Sequence, residues 1–209
     1  MISCIRCRWL LPVLICSFHC TAQNSDIDLL RDINVHRNKS LDGAWKAITN
    51  YDYPVSIAIP AMELVWGYTH HDKKAIISGW QTVAGFGIDF VLTEGLKYAV
   101  HRPRPFVTYP DIQPYETFTD HSFPSGHTSF AFCAATSLSI CYPRWYVVAP
   151  AYLWAAAIGY SRLDLGVHYP SDVLAGAIVG VGSSWLAYKG TRWLQKKHPK
   201  ILYKFLMIK

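Results

Sequence analysis

The sequence predicts an all-α protein, a polytopic membrane helix bundle with five or six spanning helices. Three observations carry this expectation. Five apolar runs, over 52–69, 75–99, 126–142, 145–161 and 171–189, are separated by polar segments. Of the 209 residues, 51% are hydrophobic, and 8 Trp and 13 Tyr are among them. The net charge of +6 is not gathered on one polar patch, as a nucleic-acid partner would require. It falls instead between the apolar runs and after the last of them.

The N-terminus comes first. Arg6 and Arg8 precede the apolar core "WLLPVLICSF", and Cys20-Thr21-Ala22 offers small residues for cleavage before Gln23. Residues 1–22 therefore read as a signal segment; if kept, the segment supplies the sixth helix. Bulky Phe18 and His19 make Cys20 a poor lipidation site. Four of the six cysteines (Cys4, Cys7, Cys16 and Cys20) lie here, so the Cys4–Cys7 pair is no credible zinc site. Cys133 and Cys141 sit in one expected helix, roughly 12 Å apart along its axis, too far for a mutual disulfide.

Residues 23–50 are polar but patterned. Ile27, Leu30 and Ile33, then Leu41, Ala44, Trp45 and Ile48, recur at three- and four-residue steps. That spacing predicts two short amphipathic helices. They are expected at the membrane interface, with Asp28, Arg31 and Asp32 on a solvated face.

The core spans 51–190. Several of its apolar runs are at the short end of the spanning range, but charge placement strengthens the membrane reading. "HHDKK" at 70–74, Arg144 and the tail over 191–209 fall on one side, as cytoplasmic basic loops do. Segments 100–125 and 162–170 fall on the other. After Asp172 no acidic residue occurs, whereas seven basic residues follow, from Lys189 to Lys209.

Three acids lie within the apolar runs: Glu63, Asp89 and Glu94. An ionisable group at membrane depth is a functional hint. Glu94 and Lys97, however, are three apart on one helix and can pair; structural pairing is the reading preferred for all three acids. His70 and His71 point to different sides of a helix and read as a polar loop end, not a metal pair.

The two outward segments hold the chemistry. The first carries Lys97, Arg104-Pro105 and Pro124-Ser125-Gly126-His127; the second carries Ser161-Arg162, His168 and Asp172. Each has an ordinary reading alone: a helix cap, a snorkelling lysine, an interface anchor. Together they fall on one predicted membrane face. Cations plus free amides at a helix start make an anion site, and two histidines beside it suggest a nucleophile and a proton donor. Pro170 is placed to begin a helix. Asp172, four residues beyond His168, can then reach back to a ring nitrogen and fix its tautomer.

Lys97-x6-Arg104-Pro105, Pro124-Ser125-Gly126-His127 and Ser161-Arg162-x5-His168-x3-Asp172 resemble, in order and without a gap, the three signature motifs of the type 2 phosphatidic acid phosphatase family. Its superfamily also holds secreted class A acid phosphatases and vanadium haloperoxidases. The resemblance covers about 50–190. It implies an all-α bundle whose membrane members carry one span more than the five clear runs here. It further implies that His168, oriented by Asp172, attacks phosphorus to form a phosphohistidine. His127 protonates the leaving oxygen and then activates water. Lys97, Arg104, Arg162 and the amides of Ser125 and Gly126 hold the phosphoryl oxygens. No metal and no cofactor are expected.

The expected enzyme is thus a lipid phosphate phosphatase of a bacterial inner membrane, multi-pass, with its active site facing the periplasm. Lipid A is the preferred substrate; undecaprenyl pyrophosphate, phosphatidylglycerol phosphate and phosphatidic acid are alternatives. Two further readings stand beside it, a secreted soluble acid phosphatase and a vanadium haloperoxidase.

Overall fold

A computed structural model describes residues 25–207. The expected signal segment over 1–22, its four cysteines, the option of a sixth helix and Lys209 lie outside the described residues. Within them, α1 covers 25–34 and a 3-10 turn covers Lys39–Leu41. There follow α2 (Asp42–Asn50), α3 (Asp52–His70), α4 (Lys73–Val100), α5 (Pro105–Thr108), α6 (Gly126–Cys141), α7 (Trp145–Asp164), α8 (Pro170–Lys197) and α9 (Pro199–Phe205). Among the described residues there is no strand.

The five apolar runs become α3, α4, α6, α7 and α8, with ends set by local chemistry. Asp72 caps α4 by accepting from the amides of Lys74 and Ala75 at 2.9 and 3.2 Å. His70 ends α3, and His71 turns the chain in a left-handed conformation, so the two histidines are a loop end. Pro199 separates α8 from α9. The boundary drawn at 190 falls inside α8, which continues to Lys197. The tail is therefore helical, and α9 folds back so that Leu202 and Leu206 bury against Ile76.

Helices α4, α6 and α8 pack against one another, α3 lies on α4 and α6, and α7 lies on α6. The crossing of α6 and α8 needs a residue without a side chain. A Cβ on Gly176 would sit 2.5 Å from the Ser125 carbonyl oxygen, so this glycine lets α8 press against the start of α6.

The bundle's polarity is inverted relative to a water-soluble one. Its interior holds Ser78, Thr82, Asp89, Ser129, Ser137 and Ser184, all buried, while Val65, Trp66, Phe90, Val91, Leu153 and Ile178 are exposed. Within that interior Glu63 accepts from Ser78 Oγ at 2.6 Å and Asp89 accepts from Ser129 Oγ. Glu94 lies 3.3 Å from Lys97 Nζ. By length and composition one described stretch, Lys73–Thr108, suffices to cross a membrane. The serines, threonines and glycines that line the helix contacts dilute the hydropathy of the other runs. Cys133 and Cys141 are free thiols.

Part of the apolar stripe of α1 packs on protein. Ile27 and Leu30 are buried against Ile112 and Tyr169, among Phe106, Tyr109 and Leu163. Asn34, fully buried, donates to the carbonyls of Asp164 (2.8 Å) and Gln113 (3.2 Å). It presses on Gly166, whose φ of +71° suits glycine. Arg31 is not merely solvated, since its Nε donates to Asp111 at 2.7 Å. Helix α2 lies on α7, where Thr49 Oγ1 meets Ser161 Oγ at 2.6 Å.

Candidate active site

The antiparallel run of the helices brings four ends together: the C-termini of α4 and α7 and the N-termini of α6 and α8. Lys97 lies in the last turn of α4, Arg104 caps α5, and Ser125, Gly126 and His127 open α6. Arg162 lies near the end of α7, and Asp172 in the first turn of α8. His168 sits in the loop between α7 and α8.

His168 is 2% exposed. Its Nδ1 lies 2.8 Å from the Ser122 carbonyl oxygen. A carbonyl can only accept, so Nδ1 carries the proton and Nε2 holds the lone pair. Arg104 Nη1 donates to that Nε2 at 3.2 Å and to the Val167 carbonyl at 2.9 Å. Burial, the largest influence, pushes the imidazole down to about 4. The Arg104 and Arg162 charges act in the same direction, and Asp172 opposes them. His168 is therefore neutral at ordinary pH, the state a nitrogen nucleophile requires.

The expected bond from Asp172 to His168 is replaced by a relay. Asp172 Oδ2 is 3.6 Å from Nδ1 because it is occupied elsewhere. It accepts from Ser122 Oγ and from the Tyr169 amide at 2.9 Å, while Oδ1 accepts from Arg102 Nη1 at 2.7 Å. The carboxylate thus fixes Ser122, whose carbonyl fixes the ring. Asp172 is fully buried and Arg102 only 23% exposed, so losing Arg102 would leave the carboxylate with fewer donors to offset its burial.

The cradle also differs from the expectation at Ser125. Its amide donates to the Asp172 carbonyl at 3.0 Å and its hydroxyl meets Thr128 Oγ1 at 2.9 Å, so the Ser125 N–H does not face a ligand. The first-turn amides of Gly126, His127 and Thr128 have no intrahelical acceptor. A Cβ on Gly126 would meet only Thr93 Cγ2, at 3.7 Å, so space above this turn is open. The His127 ring packs on Tyr53, with centroids 4.9 Å apart.

The three expected cations are held unequally. Lys97 Nζ donates to Asp120 Oδ2 at 2.8 Å, and Arg104 Nη2 donates to Asp120 Oδ1 at 2.6 Å. Burial alone would raise the Asp120 carboxyl, but these two bonds outweigh it and hold the group down to about 2. Arg162 is different. It is 2% exposed, and its Nε is buried without a hydrogen-bond partner. The ring of Phe118 lies near both guanidiniums, 4.6 Å from Arg104 and 5.5 Å from Arg162.

Asp120, Ser122, Arg102 and Phe118 fall outside the motif spacing, and their roles depend on contacts across the loops. One signal was available: the Asp-His-Ser triplet directly precedes Phe-Pro-Ser-Gly-His, at 120–122. An apolar cavity of about 840 Å³ lies elsewhere, lined by Met62, Trp66, His70 and Tyr142 among others. It holds none of the cations gathered here and is not this site.

The model of the PAP2 superfamily matches residues 78–196. The chain is similar to an undecaprenyl-diphosphatase of Sulfolobus acidocaldarius, 31% identical over 166 residues, covering 78% of this chain and 75% of the relative. It is 40% identical over 81 residues to a lipid A 4'-phosphatase of Bacteroides thetaiotaomicron, a match covering 37% of this chain and 36% of that one. Among solved structures it resembles the first transmembrane PAP2 type phosphatidylglycerolphosphate phosphatase from Bacillus subtilis. That likeness has a TM-score of 0.69 at 25% identity and covers 91% of this chain and 96% of that one.

Proposed function

The chain belongs to the PAP2 superfamily and is a phosphoric ester hydrolase, and from that premise we propose that it is a membrane-embedded lipid phosphate phosphatase working through His168. The observation that carries the reading is Arg162. A buried guanidinium with an unpartnered Nε is an incomplete anion site, since a buried charge without a partner is costly. We place the phosphoryl group between Arg162 and His168, whose imidazole feels the Arg162 charge.

In the proposed reaction Arg104 turns its Nη1 from Nε2 to a phosphoryl oxygen, which frees the nucleophile. Nε2 then forms a bond to phosphorus as the bond to the leaving oxygen breaks, and His127 gives that oxygen its proton. Lys97, Arg104, Arg162 and the first amides of α6 stabilise the charge on the equatorial oxygens. In the second step His127 takes a proton from water, the water oxygen bonds to phosphorus, and the N–P bond breaks to release phosphate.

The apolar exterior and polar interior support a bilayer setting, for an exposed apolar surface of this extent needs a cover. The catalytic end is opposite Lys73, Lys74, Arg144 and the basic tail, so positive-inside placement directs it outward. In this reading the protein is a multi-pass inner-membrane enzyme facing the periplasm. The same exterior weighs against a soluble acid phosphatase. Lipid A is the substrate we favour, supported by the local identity to the Bacteroides enzyme. Undecaprenyl diphosphate is the second reading, favoured by the longer match to the Sulfolobus enzyme. Purified protein given each lipid, with released phosphate and residual lipid measured by mass spectrometry, decides between them. Turnover of neither overturns both assignments.

A further inference from the structure

A charge network runs from the site into the N-terminal helix through Arg102, which lies in the gap between Lys97 and Arg104. Its Nη1 donates to Asp172 Oδ1 and to Ser171 Oγ, both at 2.7 Å. Its Nη2 donates to Asp26 Oδ2 at 2.7 Å, and the guanidinium lies 3.7 Å over the Tyr169 ring. Asp26 also accepts from the Ser171 amide at 2.8 Å and from Ser171 Oγ. One carboxylate of α1 therefore grips both Arg102 and the first turn of α8, the turn that presents Asp172. The Asp26 side chain is only 10% exposed and that of Asp172 is fully buried.

We propose that Asp26 is a positioning residue for the phosphatase reaction: through Arg102 and Ser171 it fixes the Asp172 carboxylate, and so Ser122 and the attacking imidazole of His168. The proposal rests on the reading of His168 as nucleophile. Simple docking of α1 does not need Asp26, because Ile27, Leu30, Asn34 and Arg31 already hold that helix. What Asp26 adds is the second half of a planar fork. A guanidinium bridging two carboxylates has its orientation set by both, and without Asp26 its second nitrogen loses its fixed acceptor.

The test is a comparison of kcat, KM and thermal midpoint for the full chain in detergent. Asp26→Ala is expected to lower kcat by about tenfold or more with KM little changed, because small misplacements of a reacting group are costly in rate. Asp26→Glu should recover part of the loss. Arg31→Ala cuts another tie of α1, and should lower the thermal midpoint while kcat stays at the wild-type value. The loss in the double variant Asp26→Ala/Arg102→Ala should be smaller than the product of the two single losses, since Asp26 acts in part through Arg102. Should Asp26→Ala fail to fold, Asp26→Asn keeps the shape and removes the charge, and the same loss of kcat is expected. Unchanged kcat in a folded Asp26 variant, or losses that multiply with Arg102→Ala, would overturn the proposal. His168→Ala is measured alongside: if it turns over normally, the nucleophile assignment fails, whatever Asp26 does.

Discussion

The Nδ1 of His168 lies 2.8 Å from the carbonyl oxygen of Ser122, and the Asp172 carboxylate stands back at 3.6 Å. The proton-fixing partner is thus a main-chain group that no side-chain substitution removes. Asp172→Asn should lower kcat by about 10–100-fold per folded enzyme, well short of the roughly 10⁴-fold loss when a carboxylate alone sets a catalytic tautomer. Phosphate release by the purified variant checks this. A loss of roughly 10⁴-fold would restore a direct Asp172–His168 bond during turnover.

Asp120 ties up two cations of the proposed phosphate site. Its carboxylate occupies Lys97 and Arg104, two of the cations proposed to hold phosphate, and it repels an incoming anion. Asp120→Asn should bind vanadate roughly tenfold more tightly, since relieving one like-charge contact is worth about that factor. Because its folded value of about 2 lies below the ordinary 3.8, Asp120 contributes stability that is present above about 4 and lost as pH falls toward 2. An unchanged inhibition constant would remove Asp120 from the phosphate site.

The bundle was legible because runs of apolar residues set helix positions whatever their neighbours are. The three motifs likewise place Lys97, Arg104, His127, Arg162, His168 and Asp172 at one end, since helix direction alternates along the chain. The relay was not legible. Whether the Asp172 carboxylate meets His168 or Ser122 depends on angstrom-scale loop packing, which periodicity does not encode. The α1 stripe is a second case. Ile27 and Leu30 look the same from sequence whether lipid or the Ile112–Tyr169 patch covers them.

The pH profile follows from burial of His168. Its value of about 4 against an ordinary 6.5 means the unfolded chain binds the extra proton more readily. Its contribution to stability is therefore full above 6.5 and is lost as pH falls toward 4. The nucleophile stays neutral down to the same point, so kcat/KM corrected for substrate ionisation should fall through about 4. An acid limb of kcat/KM centred near 6.5, or a His168 imidazole seen by 15N NMR to titrate there, would contradict the buried geometry.

Topology links the charge pattern to the proposed leaflet. A reporter phosphatase fused after Lys209 should be inactive in intact cells, and a cysteine replacing Pro114 should react with an impermeant thiol reagent. An active fusion or a protected cysteine would place the catalytic end on the cytoplasmic side.

In the proposed reaction His168 carries the phosphoryl group between two half-reactions. Wild-type enzyme mixed with labelled lipid phosphate, quenched in alkali and digested, should yield an acid-labile, alkali-stable phosphopeptide with phosphate on His168. His127→Ala, slowed in the water step, should accumulate more of it when the leaving group needs no proton, and His168→Ala should show none. Label on His127, or full turnover by His168→Ala, would contradict the account.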